Sequence, residues 1–173
     1  AEDNDKYHRT DIDLKKNDWG IPYVDFRVDQ EKPSYNTVIY GHNMGDGTMF
    51  GYLQGYKKLS YYQQHPLISY NSVYRKDMYK IFAVVVCKAD DPDFDYHNFI
   101  DSDSDAAKNE YIEKIMERSI IKTTVDVKAS DRLLTLSTCD YTFRDPDTNK
   151  LIARLVVFAR AVRDGESETV NVN

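Results

Sequence analysis

Cys139 stands where the apolar run TLSTC ends. By itself a strand-end cysteine is more often a small core residue than a nucleophile, because Cys is among the most buried residue types. An accessible thiolate, however, is both a nucleophile and a good leaving group, and it can carry acyl transfer through a thioester. A thiol of ordinary pKa, about 8.5, is mostly protonated at neutral pH, and a neighbouring cation favours the thiolate. Two residues could supply that cation. His42 follows the strand-like TVIY in the glycine-rich stretch YGHNMGDGTMFG, and an imidazole there could give and take protons. Arg154 interrupts the apolar run LIARLVVFAR, where an unpaired guanidinium would be costly. It could offer its forked donors to an oxyanion or to a substrate backbone. Arg160 shares its alternation and Arg144 lies in the loop RDPDTNK, so both compete for the same role.

The bland readings run alongside. Cys87, inside VVVC, reads as core. His8 lies in a polar opening, His65 precedes a proline and His97 sits in an acidic loop, none of them a setting like that of His42. Two cysteines are too few for a disulfide framework, although one bridge between them is formally open. Asp140 adjoins Cys139 but should point to the opposite face, which makes it a weak third member. The acidic DSDSD at 101–105 invites a calcium reading, yet an EF-hand wants Gly at its sixth position and Glu at its twelfth, and here these are Ala106 and Ile112. A solvated loop and helix cap explains it better, and no metal is assigned.

The elements that must position these residues are mostly strands. Ile21–Val28 and Thr37–Tyr40 read as strands, and Leu53–Gln64 as a short helix stopped by Pro66. Leu67–Tyr74 and Met78–Ala89 read as strands around a turn at Arg75-Lys76-Asp77, the second buried on both faces by its IFAVVVC run. A helix over Asp105–Ile121 carries apolar positions at helical spacing, with Ser102, Asp103 or Ser104 as its cap. Leu133–Thr138 leads straight into Cys139, and Leu151–Val162 is the last strand. Many strands and few helices predict a β-barrel or sandwich with helical insertions.

The 173 residues suit one domain, 1–173, with a sizeable core. The net charge of −6 argues against a general nucleic-acid binder. Fourteen tyrosines suit half-buried strands and the walls of peptide grooves. No run is apolar and long enough to span a membrane, and the polar start AEDNDKYHRT is no signal peptide. The protein is therefore either cytosolic or targeted by a segment outside this sequence.

Taken together and in this order, YGHNM, TMFGYL, TLSTC and RLVVFAR resemble a class B sortase, over about Asp3 to Arg163. The helix-bearing EYIEKIMERSIIKT before TLSTC points to class B rather than class A. The resemblance implies a mainly β fold: a sortase-type closed β-barrel of eight strands with a few helices, one inserted before the nucleophile strand. It implies a cysteine transpeptidase on the extracellular face of a Gram-positive cell membrane. Its tether would be an N-terminal segment preceding this sequence, with helices and a first strand. The partners it implies are an NPxTx-like sorting-signal peptide and a peptidoglycan or lipid II amine. No cofactor and no nucleic acid are implied, and a monomer is expected. Carried over by motif, Cys139 is the nucleophile, His42 the acid/base and Arg154 the transition-state cation. Ser137, Tyr111 and Ile112 resemble positions lining the signal groove, and Asn4 and His8 resemble positions near it. The loop RDPDTNK makes the Cys139-to-Arg154 segment longer than the family pattern. Two other readings stay open: a plain cysteine peptidase with water as acceptor, and a wall-binding module in which Cys139 is only core.

Overall fold

The β-branched runs of the sequence become the centre of a single sheet. In a computed structural model describing residues 3–29, 31–32 and 34–172, the elements in chain order are α1 (Asp5–His8), β1 (Tyr23–Val24), β2 (Asn36–Tyr40), a 3₁₀ helix (Gly51–Lys57), α2 (Leu59–Gln64), β3 (Leu67–Asn71), β4 (Lys76–Lys88), α3 (Asp105–Arg118), β5 (Leu133–Arg144) and β6 (Leu151–Ala161). Among the described residues the sheet has six strands in the order β1-β2-β5-β6-β4-β3, curled into a half-barrel. The mainly β architecture and the helix ahead of the nucleophile strand are as expected. Among the described residues β1 and β3 are the edge strands, and no pairing between them closes the curl.

All neighbours are antiparallel except β2 and β5, which run parallel from Asn36–Leu133 to Tyr40–Ser137. Alternation along β6 sends Leu155, Val157 and Ala159 to one core and Val156 and Phe158 to another. The 3₁₀ helix and α2 cover the first through Leu53, Tyr56 and Tyr62, and α3 covers the second through Tyr111 and Ile115. This explains why Ile81–Val84 is fully buried: the strand has a core on each face.

Several boundaries differ from the sequence reading, each for a local reason. The first strand is only Tyr23–Val24, because the Asp25 side chain accepts the Arg27 N–H and Val28 N–H returns to the Asp25 carbonyl, turning the chain. The expected helix over 53–64 breaks at Lys58, whose backbone is extended. The Tyr61 ring packs directly on Gly55, folding α2 against the 3₁₀ helix. At α3, Ser104 Oγ caps Ala107 N–H at 3.2 Å, and beyond the helix Ile120 N–H bonds to Val84 O on β4.

Phe158 is the common member of the second core, with Phe82, Phe94, Tyr96 and Tyr111 ringed around it. Phe158→Ala is expected to cost about 3–5 kcal/mol, read as a lower urea midpoint at unchanged slope.

Candidate active site

The register of β5 and β6 sets Cys139 directly opposite Arg154. Opposed residues of an antiparallel pair share a face, so thiol and guanidinium emerge together. Cys139 also lies just before the ladder becomes irregular, between Asp140 and Arg144. Both residues are half-buried.

His42 arrives from the parallel neighbour. Gly41 N–H donates to Ser137 O at 3.1 Å, and Thr138 Oγ1 donates back to Gly41 O at 2.8 Å. On the other side of His42, Asn43 Nδ2 donates to Cys139 O at 2.9 Å, joined there by Gln54 Nε2 at 3.2 Å. His42 is thus bracketed by two residues tied to the strand that carries Cys139. Its Nε2 lies 2.9 Å from the His8 carbonyl oxygen, and the two imidazole rings are 4.7 Å apart. Burial, and then the adjacent His42, holds the His8 imidazole below its ordinary pKa.

These groups share one cleft of about 290 Å³. His42, Cys139, Arg154, Ser137, Asn4 and His8 all line it. Tyr111 and Ile112 do not. Both are buried beneath the sheet face, where Tyr111 donates to Tyr96 O at 2.8 Å and stacks on Phe99. They were expected as groove walls by resemblance; here Tyr111 packs into the second core and Ile112 is buried. Tyr111 is linked to the cleft through Tyr96, whose hydroxyl meets Ser137 Oγ at 2.8 Å. Burial pushes the Tyr96 phenol up to about 12, so it stays neutral.

The rival arginines are committed elsewhere. Arg160 is buried and paired with Glu166, Asp126 and Asp131. Arg144 is exposed and donates within its own loop, to Asn149 O at 2.9 Å. Asp140 turns to the opposite face and pairs with Lys57, so it does not orient His42. Cys87 faces Arg154 from β4, on the side away from Cys139. Two strand spacings, roughly 10 Å, exceed a disulfide's Cα reach of about 7 Å, and both thiols are free. Burial pushes the Cys87 thiol up to about 12.

Sequence reasoning missed the tyrosine walls, Tyr23 and Tyr40, and the residue that holds Tyr40. Asp25 is buried and accepts from Asn4 at 3.0 Å, from Tyr40 at 2.9 Å and from Arg27. Arg27 in turn reaches His97 O at 2.7 Å. One carboxylate therefore gathers three walls of the cleft. Burial opposes its charge, but the bonds from Arg27, Asn4 and Tyr40 win and bring it down to about 2. The hint in the sequence was a lone Asp inside the strand-like IPYVDFRV.

A family model described as a sortase domain matches residues 9–162. The chain is 30% identical over 162 residues to sortase B of Staphylococcus aureus (strain NCTC 8325 / PS 47), covering 92% of this chain and 62% of that protein. It is 32% identical over 152 residues to sortase B of Listeria monocytogenes serovar 1/2a, covering 88% and 60%. It thus spans about three fifths of the length of these curated relatives. It superimposes on the Staphylococcus aureus sortase B–substrate complex with a TM-score of 0.83 at 28% identity, covering 94% of this chain and 71% of that one.

Two outcomes follow from this geometry. In the native protein a small thiol reagent should label Cys139 and leave Cys87 unmodified until unfolding; equal labelling of both would contradict the assignment of Cys87 as inert core. Asp25→Asn should lower stability by about 3 kcal/mol near pH 7. A depressed carboxylate stabilises above its unfolded pKa of about 3.9 and loses that contribution as pH falls through the folded value. The gap between the variant and the natural protein should therefore close between about pH 4 and about pH 2.

Proposed function

The chain belongs to the sortase family, on its class B side, and from that premise we propose that it is a cysteine transpeptidase. It would cleave an NPxTx-like sorting signal after threonine and pass the surface protein to a peptidoglycan or lipid II amine. The observation that carries this reading is the pairing of Cys139 with Arg154 in register, with His42 beside them in one cleft. Cys139 is the nucleophile: its thiolate adds to the threonine carbonyl carbon, and the tetrahedral oxyanion meets the Arg154 guanidinium. The C–N bond breaks as His42 gives a proton to the departing amine, leaving a thioester. The acceptor amine then adds, His42 takes its proton, and the new amide forms as the thiolate leaves.

Ser137, Asn4 and His8 are proposed to contact the signal from the cleft walls. The protein would work at the outer face of a Gram-positive membrane, held by a segment preceding residue 1, as a single domain and a monomer. The similar Staphylococcus aureus sortase B structure is a substrate complex, which supports a substrate partner for this chain.

The test is a mass-spectrometric assay with NPxTx-like peptides and an amine acceptor. Acyl transfer to the amine is the expected result, hydrolysis alone would favour the peptidase reading, and no cleavage would sink both. Cys139→Ala and His42→Ala should lose turnover to background. Arg154→Lys, which keeps charge but removes the fork, should lose on the order of 100-fold in kcat.

A further inference from the structure

We infer that the main-chain carbonyl of His8 holds His42 as its Nε2–H tautomer, so that Nδ1 is the nitrogen that exchanges protons, with Gly20 keeping that carbonyl in place. The inference rests on the reading of His42 as the acid/base residue.

A carbonyl oxygen only accepts hydrogen bonds, so at 2.9 Å the His42 Nε2 must carry the hydrogen. In the neutral ring this leaves the lone pair on Nδ1, which no hydrogen bond occupies among the described residues. Which nitrogen of a catalytic histidine works is set by the bond the other one makes. A carboxylate usually makes that bond. Here Asp140 faces away, paired with Lys57, and a peptide oxygen stands in its place. A neutral acceptor orients the ring without holding the proton as strongly as a carboxylate would.

Gly20 explains why the carbonyl stays there. Its φ is +53°, and a Cβ would sit 2.4 Å from His8 O and 3.2 Å from His42 Nε2. Only a residue without a side chain fits so close to the pair. The turn is closed by Gly20 N–H to Asn17 O at 3.1 Å and Trp19 N–H to Asn17 Oδ1 at 2.9 Å. It is fastened to the start of the chain by Asn17 N–H to Arg9 O at 2.9 Å. The segment from His8 to Gly20 is therefore a positioning loop for His42.

The decisive measurement is ¹⁵N NMR of histidine-labelled protein, with His42 assigned by comparison with His42→Gln. At a pH where the ring is neutral, Nε2 should show the shift of a protonated nitrogen and Nδ1 that of an unprotonated one. A majority Nδ1–H signal overturns the inference regardless of turnover, whereas absent turnover with the expected signal would instead overturn the acid/base reading. Gly20→Ala should lower kcat on the order of 10- to 100-fold, with the peptide KM within about threefold, and should mix the tautomers. Unchanged kcat and tautomer would remove Gly20 from the role. Should Gly20→Ala lack a cooperative melt, Asn17→Ala loosens the same turn without adding an atom beside His42. It should shift the tautomer in the same direction, and no shift would count equally against the loop.

Discussion

The pairing register of β5 with β6 is the constraint on which the rest of the site depends. Side chains alternate along a strand, so a slip of one residue would send Cys139 and Arg154 to opposite faces. The register is held by what lies below it. Thr135 faces Phe158 and Leu136 faces Val157, and these rungs anchor the two cores. A slipped pairing would turn Phe158 and Leu155 out of cores in which both are fully buried. The chemistry at the strand ends is thus aligned by hydrophobic packing several residues away.

Above the last regular rung the sheet gives way to side-chain and loop contacts. Asn43 and Gln54 share the Cys139 carbonyl, continuing the parallel ladder in another form. Asp25, just past the end of β1, performs a similar service by tying Asn4 to Tyr40 on β2. Buried polar groups of this kind cost free energy unless fully satisfied. Asp25 meets that condition with donors from Arg27, Asn4 and Tyr40.

Much of this was legible in the residues. The apolar runs around Cys139 and Arg154 identified their strands, and TLSTC and YGHN marked the ends that matter. Motif favoured Arg154 among the three arginines, but alternation alone could not separate it from Arg160, since it puts both on one face. It took Glu166 and Asp126, from segments outside the strands, to bury Arg160 in ion pairs. Helical spacing showed the face that Tyr111 occupies but not that Tyr96 and Phe99, from the loop before α3, would pack against it. Asp25 escaped notice because its worth lies in partners far apart in sequence.

The parallel pairing of β2 with β5 also bears on how the protein comes to have a site at all. Asn36 pairs with Leu133, so almost everything between them must be threaded before His42 can meet Cys139. Contacts so remote along the chain carry a large loop-closure entropy and are made slowly. The β5–β6 hairpin, joined by a short loop, can align thiol and guanidinium early. The histidine is then the last of the three to arrive, and a partly folded chain would hold a cysteine and an arginine together with no proton carrier beside them.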